Sequence, residues 1–313
     1  MITRRRTLSI LAGSAILPLL GQSAGANTRA NTRQWSGIAL GAKARIILDH
    51  KNAQSLIARA VSEIERLEQI FSLYRSDSQL SVLNREGQLF NPSFDLIQLL
   101  TVCSSLHART KGVFDPTVQA LWSLYARKYA AGKTPDANDI ASARKMVGWS
   151  YVEFSPEKIF FHHPGVALTL NGIAQGFIAD KIAQLLRAEG VPNVLIDTGE
   201  IAALGTAPDG GRWSVRLKEH KDQTVTLNNS AIATSARLGT VFDADGIAGH
   251  ILDPRSGVSK GKWSTVSVIS KSAAEADGLS TAFCLMEEDE ISASKGTNRV
   301  WLDGVPFTST HAL

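Results

Sequence analysis

Four short stretches of the chain combine residue types that could do chemistry. In residues 169–176, TLNGIAQG, two glycines four apart stand in an apolar setting, with Asn171 and Gln175 as the only amides. Glycines let a backbone come close to a ligand, and a following helix would aim free N–H groups at an anion. The Walker lysine and the GxGxxG spacing are missing, so a plain strand-to-helix corner also explains the stretch. In residues 276–281, ADGLST, Asp277 and Thr281 are four apart on an expected helix and project from one face. A carboxylate and a hydroxyl one turn apart suit Mg²⁺, a hard ion that takes oxygen ligands and shares them with phosphate. Helix capping by Ser272 and Asp277 is the structural alternative. In residues 249–257, GHILDPRSG, His250 at a strand edge could move a proton, or could be an ordinary hydrogen-bonded loop histidine. In residues 112–117, GVFDPT, Asp115 follows Phe114 at a helix start, a position that capping alone explains.

These stretches need elements to hold them. A strand is expected over 35–49 and a helix over 52–71, whose Leu56, Ile57, Ala60, Ile64, Leu67 and Ile70 recur at three and four. Residues 71–84 read as an ordered loop carrying Tyr74. A helix from Ser93 ends near Lys111-Gly112, and Asp115-Pro116 starts another. Two short strands are expected to flank the HHPG turn within 151–170. A helix over 174–189, a buried strand in VPNVLIDTG and strands at 212–218 and 223–227 follow. Next come a polar segment to 250, a strand at 264–270, a helix at 272–286 and a strand pair about Asp303-Gly304. Strands and helices mix without a βαβ rhythm, so the expected class is α+β.

The chain has 313 residues and a formal charge of +4, but Arg4, Arg5, Arg6, Arg29 and Arg33 lie in its first 33 residues. Without them the body is near neutral and shows no basic stripe, which argues against nucleic acid as a partner. Residues 1–26 join an arginine cluster, an apolar run from Leu8 to Leu20 and an A-x-A ending, the layout of an export signal. The paired arginines favour the twin-arginine route, so a periplasmic location is expected, with a polar leader over 27–34. No later stretch has about 20 continuous apolar residues, and no membrane span is expected in the mature chain. Cys103 and Cys284 fall in apolar patterns and read as buried free thiols.

In order along the chain, these segments resemble the motif series of the ApbE family, the FAD:protein FMN transferases. The series runs through Ala39-Leu40-Gly41-Ala42, Leu73-Tyr74 to Leu80, residues 112–117, residues 169–176, Ala233-Thr234-Ser235-Ala236, residues 250–257 and residues 276–281. The resemblance implies one T-fold-related unit over 35–313, with an FAD and Mg²⁺ site in a cleft between two lobes. It implies Mg²⁺-dependent transfer of the FMN half of FAD to a threonine hydroxyl of a partner flavoprotein, with release of AMP. By the same resemblance Asp277, Thr281 and the Gly172 carbonyl would hold Mg²⁺, and Tyr74 would pack on the isoalloxazine ring. Val113, Phe114 and Asp115 would line the flavin nucleotide, and Leu40 takes the place of a family methionine. Ile251 and His250 would lie beside the nucleotide, with His250 assisting proton transfer. Thr169 and Gln175 belong to the cofactor-binding turn but depart from the family's aspartate and its lysine or glutamate. These departures, with the turn Thr198-Gly199-Glu200, are similar to the NosX-like members associated with nitrous-oxide reductase maturation in denitrification, whose presumed acceptor is NosR. An FAD pyrophosphatase and a non-catalytic flavin carrier are the alternatives.

Overall fold

A computed structural model describes residues 17–18, 31–217, 223–243 and 245–308. The signal-like stretch 1–26, apart from Leu17–Pro18, and residues 27–30 of the leader lie outside the described residues. The chain begins with β1 (Leu17–Pro18), β2 (Thr32–Ala39), β3 (Ala42–Asp49), α1 (Ala53–Phe71), α2 (Gln79–Glu86), β4 (Gln88–Phe90) and α3 (Phe94–Arg109). It continues through α4 (Gln119–Ala130), α5 (Ala137–Arg144), β5 (Val152–Phe154), β6 (Lys158–Phe161), α6 (Ala174–Ala188), β7 (Val194–Asp197) and β8 (Ile201–Leu204). Then come β9 (Trp213–Arg216), β10 (Thr224–Leu227), β11 (Ser230–Ala236), β12 (Thr265–Ser270), α7 (Ala273–Phe283), α8 (Glu288–Ser294), β13 (Arg299–Leu302) and β14 (Val305–Pro306). The mixture is α+β, as expected.

Alternation along the strands decides how these elements pack. Eight strands form one sheet in the order β14-β13-β12-β11-β8-β7-β3-β2, and every neighbouring pair is antiparallel. Successive strand side chains point to opposite faces. Ile46, Leu48, Val194, Ile196, Ala202, Ala233, Val266 and Val268 therefore join one core with the helices. Ile47, Leu195, Ile201, Ala203, Ile232 and Ile269 join a second core on the other face. The three-stranded sheet β1-β9-β10 covers that second face with Trp213, Val215, Val225 and Leu227. On the helical face, α1 buries Leu56, Ala60, Ile64, Leu67 and Ile70, the stripe its spacing predicts.

Four expectations are corrected. The strand over 35–49 is a hairpin: Leu40 and Gly41 turn the chain with φ of 46° and 80°, so β2 pairs with β3 from Thr32↔Asp49 to Ala39↔Ala42. Alternation continues across such a two-residue turn, which hides the reversal. The Leu40 N–H is given to the carboxylate of Glu68 on α1, which ties the hairpin tip to the helical layer. The loop over 71–84 gives way at Ser78, which caps α2 by accepting from the Ser81 N–H at 3.1 Å. That helix buries only Leu80 and Leu83, too few to register as a period. The turn between β5 and β6 is residues 155–157, closed by Ser155 N–H to Lys158 O at 2.8 Å, and HHPG follows β6. Finally, the polar segment before 250 contains β11, a central strand of small and hydroxyl residues paired to both β8 and β12.

Candidate active site

Two helices create the polar corner of the site, and each caps the other. Asp180 of α6 accepts from Ser272 Oγ and from the N–H groups of Ala273 and Ala274, at 2.7, 2.8 and 3.0 Å, at the start of α7. Asp277 of α7 in turn accepts the Gly176 N–H in the first turn of α6, at 3.1 Å. Carboxylates at helix N-termini are favoured there by the unpaired N–H groups and the helix dipole. The helices cross where Gly176 meets Ala273, so closely that a Cβ on Gly176 would lie 2.2 Å from the Ala273 carbonyl oxygen. Just before α6, Gly172 presses on Thr281: a Cβ there would lie 2.9 Å from Thr281 Oγ1. The turn of 169–176 is thus both readings at once, a tight helix start and the wall of a cleft.

That cleft is lined by every residue that the sequence singles out: Leu40, Tyr74, Val113, Phe114, Asp115, Thr169, Gly172, Gln175, His250, Ile251, Asp277 and Thr281. The space between its walls, with the open mouth included, is about 1300 Å³. Val113, Phe114 and Ile251 are buried apolar walls, while Tyr74 is 61% exposed at the mouth with its hydroxyl beside Asn171. Asp115 caps the short 3-10 turn at Pro116–Val118, taking Thr117 N–H at 2.9 Å and Thr117 Oγ1 at 2.6 Å. Burial pushes its carboxyl up while the two Thr117 bonds oppose that. Gln175 is buried against the turn at Gly199, whose Cβ would meet its Nε2 at 2.7 Å, and its carbonyl accepts Thr198 Oγ1 at 2.9 Å.

The His250 ring is held by the backbone of Thr240. Its Nδ1 lies 3.0 Å from the Thr240 carbonyl and 3.3 Å from the Thr240 N–H. The two contacts need opposite tautomers; assigning the proton by the shorter one places it on Nδ1, which leaves Nε2 of the neutral ring with a lone pair. Burial lowers the His250 pKa, against a smaller upward pull from the Thr240 bond, so the ring is neutral near pH 7. A neutral imidazole with a free Nε2 is a base rather than an acid.

Electrostatics leave the corner short of positive charge. Asp277 is 3% exposed and its carboxyl is pushed up to about 7, mainly by burial and further by nearby Asp180, with the Gly176 N–H opposing. Among the described residues no lysine or arginine lines the cleft, and Asp277 makes no ion pair. An anion buried with one donor is costly unless a cation joins it. Among the described residues no three His, Cys, Asp or Glu side chains gather to hold a metal. Asp277, the Thr281 hydroxyl and a backbone pressed against it therefore fit a hard divalent cation that takes its remaining ligands from phosphate or water.

Sequence reasoning missed Glu200, which is 3% exposed, lines the cleft and accepts the Thr234 N–H at 3.1 Å. A carboxylate set between the apolar runs VLID and IAAL was the available signal. Ser235 and Trp122 also line the cleft, Ser235 from the unforeseen strand β11. Cys103 and Cys284 are free and buried, which raises both thiols, Cys284 to about 12. No described helix is long and apolar enough to cross a membrane.

The fold is that of a class of α+β proteins that includes solved flavin transferases. The apo flavinyl transferase ApbE of Pseudomonas stutzeri matches 86% of this chain over 89% of its own, at 26% identity and a TM-score of 0.75. A histidine-to-glycine variant of the flavin transferase ApbE of Vibrio cholerae matches at a TM-score of 0.77 and 23% identity, over 87% of this chain and 93% of its own, a likeness of fold. The chain belongs to the ApbE family, whose model matches residues 40–298. Curated relatives named FAD:protein FMN transferase include that of Vibrio cholerae, 27% identical over 81% of this chain and 79% of the relative. That of Chlamydia muridarum is 28% identical, over 79% of this chain and 82% of the relative.

Proposed function

We propose that this protein transfers the FMN moiety of FAD to a threonine hydroxyl of a partner flavoprotein and releases AMP. The observation that carries the reading is the cleft itself. It joins an apolar slot walled by Val113, Phe114 and Ile251 to a buried carboxylate–hydroxyl corner, and among the described residues no cationic side chain lines it. Val113, Phe114, Leu40 and Ile251 hold the flavin, with Tyr74 covering it at the mouth. Asp277, Thr281 and the Gly172 carbonyl would hold Mg²⁺, which when bound supplies positive charge to the pyrophosphate oxygens. His250 Nε2 takes the proton of the acceptor hydroxyl as its oxygen bonds the FMN phosphorus. The bond from that phosphorus to the bridging oxygen breaks, and its electron pair leaves with AMP. The walls keep water from the phosphorus and hold the acceptor in line, which is most of what phosphoryl transfer needs.

The N-terminal arginine cluster and A-x-A ending support export by the twin-arginine route and action in the periplasm. The TLNGIAQG and DTGE variants support a NosX-like role, with a NosR-type membrane flavoprotein of nitrous-oxide respiration as acceptor. The test incubates the mature protein with FAD, Mg²⁺ and an acceptor domain bearing a D-x-x-T segment, and follows AMP and acceptor mass. The expected result is one FMN gained per acceptor with matching AMP, lost in Asp277→Ala. AMP without an acceptor mass change would instead make the protein a pyrophosphatase, and bound FAD without AMP would make it a carrier.

A further inference from the structure

Three hydroxyls stand in a row beside the corner. Ser280 Oγ donates to the backbone carbonyl of Asp277 at 3.0 Å. Ser235 Oγ, at the end of β11, lies 2.7 Å from Ser280 Oγ and 3.2 Å from Thr281 Oγ1. Each hydroxyl carries one proton, and the terminal carbonyl can only accept. Ser280 spends its proton on that carbonyl, so Ser235 must be the donor to Ser280. Ser235 then has no proton left for Thr281, so Thr281 must donate to Ser235. Three contacts consume three protons, and only one direction satisfies them all.

The consequence falls on Thr281. With its proton turned back toward Ser235, Thr281 Oγ1 keeps its lone pairs for the cleft. Gly172 closes the other side of that oxygen, where any Cβ would crowd it at 2.9 Å. A hydroxyl left to rotate would present its proton to an arriving cation part of the time. A hydroxyl whose proton has a fixed acceptor is also the better ligand, because a partner that takes the ligand's proton raises its basicity. Ser280 is fully buried, so water does not substitute for it in the relay.

We infer that Ser235 and Ser280 are positioning residues that orient the Thr281 hydroxyl as an oxygen ligand for a divalent cation. The inference rests on the cation-assisted reading of the cleft above. It extends that reading to Ser280, which lies behind the cleft wall, and to Ser235, which lines it.

Mn²⁺ serves as the probe, with free ion measured by electron paramagnetic resonance on the full mature chain. Wild type is expected to bind Mn²⁺ and Asp277→Ala to lose it. Ser235→Ala and Ser280→Ala are each expected to weaken binding about tenfold or more, the range seen when a ligand's supporting partner is removed. Ser235→Thr, which keeps a hydroxyl, should recover most of the affinity. Melting of the metal-free variants separates a folding defect from a ligand defect. If Ser235→Ala alone melts early, Ser280→Ala decides. Wild-type affinity in a well-folded Ser280→Ala overturns the relay while leaving the transferase reading intact. Failure of wild type to bind Mn²⁺ overturns both.

Discussion

Gly172 lies just before α6 and Gly176 in its first turn, and replacing each by alanine should damage different properties. Neither has a left-handed backbone, so alanine is conformationally allowed at both, and only space decides. At Gly176 the new methyl would lie 2.2 Å from the Ala273 oxygen and 2.5 Å from its carbonyl carbon. Carbon atoms pack best at about 3.5–4.0 Å, so α6 and α7 would have to part by roughly 1 Å. Those backbone atoms cannot yield, because Asp180 grips the start of α7 by three hydrogen bonds. Overpacking of this kind costs about 1–3 kcal/mol or more. Alanine's helix preference over glycine returns about 1 kcal/mol. A net loss of about 1–2 kcal/mol is expected for Gly176→Ala. At Gly172 the obstacle is the tip of a side chain, Thr281 Oγ1 at 2.9 Å and Cγ2 at 3.1 Å. Thr281 can swing aside for about 1 kcal/mol of rotamer strain. The swing takes its oxygen off the corner, so Mn²⁺ affinity and turnover should fall about tenfold or more. Thermal melts without metal and Mn²⁺ titrations on both variants form the assay. A Gly176→Ala protein that melts with wild type, or a Gly172→Ala protein with wild-type Mn²⁺ affinity, refutes the reasoning.

Two further outcomes follow from the charges. His250→Ala should lower turnover by about 10²–10⁴ and erase the acid limb of the pH–rate profile. In wild type that limb lies below the ordinary histidine range, since burial lowers the His250 pKa and the neutral ring is the active form. Asp197 at the end of β7 is pushed up to about 6 by burial, despite the Gly199 N–H and Arg45. Its folded form prefers the proton, so that stability is full below the ordinary carboxylate range and is lost as pH rises through about 6. Asp197→Asn should therefore be up to about 3 kcal/mol more stable than wild type above pH 7 and equal to it near pH 4, measured by urea unfolding.

The parts of the site that could be read from sequence were those whose signal is local. Asp277 and Thr281 are four apart on one helix, and that spacing alone puts both oxygens on one face. Gly172 drew attention because glycine beside a helix start has few uses. What escaped depends on distant partners. β11 looks polar in isolation, and only its place between β8 and β12 makes a core strand of SAIATSA. Glu200 is a cleft residue because Thr234 on that same strand presents an N–H to it. The hairpin at Leu40 escaped since a turn of two residues leaves alternation unbroken. Asp277 met the expected capping role in an unexpected way, by capping α6 rather than its own helix.

The order of the eight-stranded sheet also says when the cleft can exist. β3 cannot take its place until β7 arrives, since residues 45–48 pair with 194–197, and β11 needs β12 before both its edges are covered. Pairings between distant segments are slow to form, because loop-closure entropy must be overcome before any contact is gained. Leu40 comes from the first hairpin and Thr281 from one of the last helices, so no fragment released partway through synthesis contains a cleft. A fragment that stops before α7 lacks Asp277 and Thr281, and with them the oxygen corner of the cleft.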